Sequence, residues 1–487
     1  MFATKVSAKI AQDNSGVTTD IPVILTDEGV LESVTDYVLS LHLNGISLST
    51  INKHIQSIIL LIEFMDANKG MFENSEEMFS VFVKRLYSGT VGENGLDPSG
   101  LFWIPATTGT VARHISHLTN FTDWILEKGL GKPLNTLRTA TRHEERIQHA
   151  AWFRRNQNDF LGHIQDKSIN ATVKRARNIK GRTPLAKTED DAIAFPTSKF
   201  EDFYLNGLGD AKDPRVALRN KLILLLLHGA GFRRSEALLL WVTDVFEDPD
   251  DPDRAIVRIY NEVEGVAPEG WKTRRGIKTR KAYLQEKYAR SPRQEMQSTQ
   301  HLGWKSKVAD HRDGYLEAYF FPPEFARVFM SLWRQYLIYR ASVECHHPYA
   351  FINFDPRYLG NPYTFNAFNQ SYAAGLRKIG LEPNKAEGLD PHGHRHNYGR
   401  RLSDAEVKPL ILKKCLHHKS LDSQVVYTLP SNTKVSQALS QASNQLQLGS
   451  DEKTAESFDW KTLVEHGFDD IDPNGHFTGK NPRLGKR

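Results

Sequence analysis

Val30, Leu31, Val34, Tyr37, Val38 and Leu41 fall on one face of a helix, the 3.6-residue period of an amphipathic segment. Ile51, Ile55, Ile58, Ile59 and Ile62 repeat the pattern, with Ser49 placed to cap the helix they define. The Gly/Asp/Pro-rich stretch VGENGLDPSG interrupts it, and Val111, Ile115, Leu118 and Ile125 mark another helix. The pattern predicts a small all-helical domain over 28–135, preceded by an N-terminal extension at 1–27. The next stretch, 136–195, reads as a basic helical segment and linker.

A larger domain is expected over 196–430. The apolar run LILLLL leads into HGAGFRRSEALLL, and AIVRIY at 255–260 alternates like a strand. A long basic excursion fills 261–314. YLEAYFF then reads as a strand, PPEFARVFMSLWRQYL as a helix with proline in its first turn, and Thr364 as the cap of a helix reaching Leu376. Helical patterns continue to about 427, and a tail at 431–487 carries one polar helical stretch near 435–448. The expected fold class is mainly α with a small antiparallel β-sheet.

Composition changes this picture little. A chain of 487 residues is too long for one ordinary core. A net charge of +5 permits a nucleic-acid partner without requiring one. Two cysteines cannot build a disulfide framework, so a reducing, cytoplasmic setting is expected. No apolar run is long enough to span a bilayer, so no membrane association is expected.

Charge distribution is more informative than its total. Lys174, Arg175, Arg177, Lys180 and Arg182 lie in one stretch with no acid between them. They read either as a solvated linker or as a strap along a phosphate backbone. A second concentration is LDPHGHRHNYGRRL, 389–402. His392 and Arg395 sit one helical turn apart on one face, and Pro391 suits a first helical position. Arg233 follows Gly229 and Gly231 at a break between helices, so it projects from a turn. His418 in LHHKS and Tyr427 in VVYT complete a set. Two guanidiniums can clamp the nonbridging oxygens of a phosphodiester. A phenol can attack in line, and proton donors can serve the leaving oxygen. Arg234 and His417 are the neighbouring rivals of Arg233 and His418.

A second reading takes His392, His394 and His396, with His346, His347 and His417, as the zinc site of a metal-dependent hydrolase. On a helix His394 points away from the other two, and Arg395 would crowd the cation. A third is a DNA-binding protein that has lost catalysis. The arginine reading uses more of the residues and needs neither metal nor cofactor.

The set resembles the tyrosine recombinase (phage integrase) superfamily over about 196–430. The resemblance rests on GFRRSEALLLWVTDV around Arg233, His-x-x-Arg at His392 and Arg395, Leu-x-His at Leu416 and His418, and SQVVYT. Arg395 lies 23 residues before His418, and His418 nine before Tyr427. The resemblance implies a helical core-binding domain and a catalytic domain clamping duplex DNA. Tyr427 would form a 3′-phosphotyrosyl link and release a 5′-hydroxyl, so that strands are cut and rejoined without a nucleotide cofactor. It further implies a site-specific recombinase or integrase, excising or moving a mobile genetic element. A homotetramer on two DNA sites is implied as well, assembled by a C-terminal segment that docks on a neighbour, for which the helical stretch near 435–448 is the candidate, with accessory proteins as further partners. A hairpin lysine would be the general acid: Lys305 is the first candidate, with Lys307 and Lys278 as alternatives. His417 stands where the family usually has glycine. Glu236 is expected to support the arginine turn through hydrogen bonds.

Overall fold

The computed structural model describes residues 3–14, 18–156, 175–183, 193–268, 270–296, 298–419 and 440. Two large cores and two smaller buried clusters organise them.

The first core begins earlier than the helical pattern suggested. Strands β1 (Ala3–Ala11) and β2 (Thr18–Thr26) form an antiparallel hairpin, extended by β3 (Gly29–Val30). Val6, Ala8 and Ile10 alternate with Lys5, Ser7 and Lys9, a period-2 signal muted by small and charged residues. Ile21, Val23 and Ile24 are buried with the helices. Strands β1 and β2 therefore complete the first core, and that unit is not all-helical.

Helices α1 (Glu32–Leu43), α2 (Leu48–Ala67), α3 (Ser75–Ser88) and α4 (Thr108–Glu127) follow. Ile51, Ile55, Ile58, Val111, Ile115 and Leu118 are all buried, as their spacing required. The cap of α2 is Ser47 rather than Ser49: its hydroxyl accepts from the Thr50 N–H. Strand β4 (Leu137–Thr139) pairs antiparallel with β5 (Arg175–Arg177), and α5 (Arg142–Asn156) lies between them in sequence.

The second core is built on α7 (Pro214–Leu224), with Phe200 of α6 (Thr197–Asp202) packed against it. Helix α7 passes into one π-helical turn, Leu225–Gly229. Leu222 to Leu227 are buried on every side. A helix apolar all round belongs inside, and each such side chain contributes roughly 1.5–3 kcal/mol through burial. Next come α8 (Arg234–Ala237) and the antiparallel sheet of β6 (Val245–Asp248), β7 (Asp251–Tyr260) and β8 (Tyr315–Glu317), with β7 central. The connection 261–314 carries α9 (Arg280–Tyr288). Helices α10 (Glu324–Ala341), α11 (Phe365–Lys378), α12 (Pro391–Asp404) and α13 (Pro409–Cys415) complete the described chain.

Strand β8 is shorter than YLEAYFF predicted. After Ala318 the backbone leaves the sheet to serve the helices: Tyr319 O accepts from the Tyr398 hydroxyl, and the Phe321 N–H donates to Gly229 O. Thr364 caps α11 as its position suggested, accepting from the Ala367 N–H. Among the described residues, no helix is long and apolar enough to cross a membrane.

Candidate active site

Three chain segments converge through one arginine. Arg395, on the second turn of α12, is 1% exposed. It donates to Gly231 O at 2.6 Å and to Leu416 O. It thereby ties the turn before α8 and the end of α13 to α12. Local sequence places it there. Asp390 caps α12 by accepting from the Gly393 N–H at 2.8 Å, and Pro391 fills the first helical position. A side chain at 393 would meet Gly388 O at 2.1 Å, so only glycine fits between Arg395 and the cap.

Gly231 sets the second segment. It has φ +68° and lies so close to Tyr398 that a Cβ would sit 2.3 Å from the ring. The backbone reverses there, and Arg233 leaves the turn 23% exposed. Its rival is spent elsewhere: Arg234 donates to Asn369 and lies 3.8 Å over the Phe365 ring.

Glu236 is fully buried beneath Arg233. Its Oε2 accepts from the Arg233 N–H at 3.4 Å, and its Oε1 lies 3.3 Å from Arg233 Nη1. The same Oε1 accepts from the Lys305 N–H at 3.2 Å, and from the Ser306 N–H and hydroxyl at 2.9 and 3.0 Å. Ser306 Oγ in turn accepts from Arg233 Nη1 at 2.8 Å. The Lys305 segment is thus docked on the arginine turn. Of the three candidate lysines, Lys305 has its backbone in this network, and its side chain is exposed. Lys278 lies on a separate loop, where its carbonyl accepts from the Ala267 N–H.

The histidines divide cleanly. His394 faces the core: Nδ1 lies 3.1 Å from His228 Nδ1, and Nε2 lies 2.9 Å from the Tyr372 hydroxyl. His392, on the accessible face, has its pKa lowered by surrounding protein and then by Arg395 and Arg233. His396 lies against it, ring centroids 4.4 Å apart. Among the described residues, no three His, Cys, Asp or Glu groups converge to hold a metal ion.

At the end of α13 two adjacent histidines part company. His417 has φ +50°, the left-handed conformation usual for glycine, and is buried. Its Nε2 lies 3.1 Å from both Glu317 O and the Asp310 carboxylate, and its ring stacks on Phe232. His418 is half-buried. Burial, followed by Arg395, Arg233 and His417, pushes its pKa down to about 3. Arg233, Arg395, His392 and His418 therefore share one electrostatic environment: two permanent cations beside two neutral imidazoles. This suits a phosphate diester, whose negative charge would pair with the guanidiniums and raise the imidazole pKa values. Tyr427 lies outside the described residues.

No family model matches the chain, and no curated protein matches it. Solved structures similar to it include the XerH site-specific recombinase bound to palindromic difH substrate in a post-cleavage complex. That structure has 16% identity, covers 81% of this chain and 80% of its own, and has a TM-score of 0.47. The pre-cleavage XerH complex with difH has 15% identity, the same two coverages of 81% and 80%, and a TM-score of 0.44. The Tn1549 transposon integrase in complex with transposon right end DNA has 14% identity, covers 79% of this chain and 98% of its own, and has a TM-score of 0.33.

The basic strap is partly absorbed by structure. Lys174 lies outside the described residues. Arg177 is committed to Asp123 and donates to Asn135 O at 2.8 Å, so it fixes β5 against α4. Lys180 pairs with Glu144 at 2.6 Å while remaining half-exposed. Arg182 lies 4.3 Å over the Tyr87 ring, and Arg175 is exposed. A groove of about 1000 Å³ opens between α4 and this segment, with Arg175 and Lys180 on its wall. None of its lining residues belongs to the Arg233–Arg395 cluster.

Ser306 is the participant that sequence reading missed. Its contact with Arg233 spans 73 positions, and a serine in a polar excursion carries no local mark of it.

Proposed function

We propose that the chain is a DNA strand transferase of the tyrosine recombinase superfamily, cutting and rejoining duplex DNA as a site-specific recombinase or integrase. The observation that carries this reading is the convergence of Arg233, Arg395, His392 and His418, with the Lys305 segment held on the same buried carboxylate. Arg233 and Arg395 clamp the nonbridging oxygens of the scissile phosphate. Preorganised donors of this kind are worth roughly 3–4 kcal/mol each in the transition state. Tyr427 attacks phosphorus, the bond to the 5′ oxygen breaks, and Lys305 protonates that oxygen. His392 and His418, neutral in the free protein, accept or hold protons as charge builds on the phosphorane. The phosphotyrosyl bond conserves the diester's energy, and a 5′-hydroxyl from a partner strand reverses the step. On this reading the protein acts as a homotetramer on two DNA sites and moves or excises a mobile element.

The test is covalent trapping. A nicked suicide duplex incubated with the protein should give a protein–DNA adduct that Tyr427→Phe does not form, with no loss on adding chelator. Adduct formation by Tyr427→Phe, or strand cleavage abolished by chelator, would replace this reading with hydrolysis by another group.

A further inference from the structure

Helix α13 has seven residues, too few to be stable alone, so contacts elsewhere must fix where it ends. It closes in a Schellman motif. The His417 N–H donates to Lys414 O at 2.9 Å and the His418 N–H to Lys413 O at 3.0 Å, with His417 as the left-handed residue at φ +50°. Glycine or asparagine usually takes that position, because a bulkier side chain is strained there. Such strain persists only where the surroundings hold the residue in place.

The His417 side chain is 0% exposed and meets several parts of the site. Its ring stacks on Phe232, the residue before Arg233, with centroids 5.2 Å apart, and on Tyr319 at 6.2 Å. Its Nε2 faces two acceptors, Glu317 O and the Asp310 carboxylate, both at 3.1 Å, so that nitrogen carries a hydrogen. Asp310 is itself fixed. Its Oδ2 accepts from the Glu317 N–H at 2.9 Å, and its own N–H donates to Tyr315 O at 2.8 Å. It lies five positions after Lys305, on the same connection. On the helix side of His417, Leu416 O accepts from the buried Arg395. The two residues before His418 are therefore bound to the Arg395 side chain, the Arg233 turn and the Lys305 connection. Glycine at 417 would close the same helix end. What the imidazole adds is the link to Asp310 and Phe232.

We propose that His417, held by Asp310, is a positioning residue of the site: it acts through His418, setting that imidazole against the phosphate that Arg233 and Arg395 bind. This rests on the strand-transfer reading above.

The experiment is single-turnover adduct formation by the full chain on the nicked suicide duplex, beside its affinity for the same duplex by anisotropy. His417→Gly keeps the left-handed backbone and removes the link. It should slow adduct formation by about 10- to 100-fold, the scale of a displacement of about 1 Å at a reacting group. Affinity should stay at the wild-type value, because His417 is buried. His417→Gln places an amide N–H near the Nε2 position and should recover most of the rate. Asp310→Ala leaves the ring in place, serves where His417→Gly folds poorly, and should slow the reaction in the same direction. The deciding measurement is His417→Gly in a His418→Ala background. If His417 acts through His418, the residual rate there should change little, because residues acting as a unit are non-additive. A full second loss in that background would make His417 a packing residue only and overturn the proposal. Wild-type rates in His417→Gly and Asp310→Ala would also overturn it, as would no recovery in His417→Gln, or an affinity that falls in step with the rate. Failure of the parent reading is distinguishable: the wild type itself would form no adduct.

Discussion

Glu236 is the joint on which the proposed site turns, and its removal gives the sharpest test of the geometry. The carboxylate is 0% exposed and accepts from the backbone of Arg233, Lys305 and Ser306 and from the Ser306 hydroxyl, while Arg233 Nη1 lies 3.3 Å away. Glu236→Ala strands the buried Ser306 N–H and leaves Arg233 without its buried counter-ion. A buried donor without a partner costs about 1–3 kcal/mol, and breaking a buried charge pair costs about 3–5 kcal/mol in all. Glu236→Gln keeps the shape and one acceptor oxygen, and should cost less, about 1–3 kcal/mol. Ser306→Ala removes the hydroxyl that links Arg233 to Glu236. If the three act as one network, the Glu236→Gln/Ser306→Ala cycle should show a coupling of about 1–2 kcal/mol in urea unfolding, within the range for groups in contact. The adduct assay should respond more steeply than stability, because a displacement of about 1 Å at a reacting group can cost 10²-fold. A Glu236→Ala protein that forms adduct at the wild-type rate would refute the reasoning. So would a cycle additive to within roughly 0.5 kcal/mol.

Two further outcomes follow from the same geometry. Gly231→Ala combines a positive φ of +68° with a Cβ 2.3 Å from the Tyr398 ring, whose hydroxyl is tied to Tyr319 O. A left-handed alanine costs about 1–2 kcal/mol and overpacking about 1–3 kcal/mol, so urea unfolding should show a loss between those limits and their sum; no change would mean the turn adapts freely. Acid should destabilise the chain well above the carboxylate range. Burial pushes His394 down to about 3 and His54 to about 4, while burial and then His394 hold His228 well below its usual value. Unfolded histidine titrates near about 6.5, so the unfolded chain binds more protons between the two values. Stability is complete above the unfolded pKa and falls as pH drops toward the folded one. At about pH 5 the fully buried His394 alone accounts for roughly 2 kcal/mol. Urea midpoints should fall accordingly from pH 7 to pH 5, and equal midpoints would contradict the buried neutral pair.

The sequence by itself determined whatever depends on neighbours a few positions apart. The isoleucine spacing in α2, the all-round apolar run Leu222–Leu227, the Asp390–Pro391 start of α12 and the glycine turn before Arg233 are all local signals. They placed Arg233, His392 and Arg395 on the right kinds of element. The N-terminal hairpin escaped because its strands bury small and β-branched residues only once helices pack on them. Tertiary structure alone decided the pairings across distant segments. It turned Arg177 inward to Asp123, set Ser306 between Arg233 and Glu236, and sent His417 and His418 in opposite directions through one left-handed residue. Helix periods and caps are written in contacts that form whichever way the chain later folds. A hydrogen bond across 73 positions exists only after the cores have closed, so no local pattern announces it.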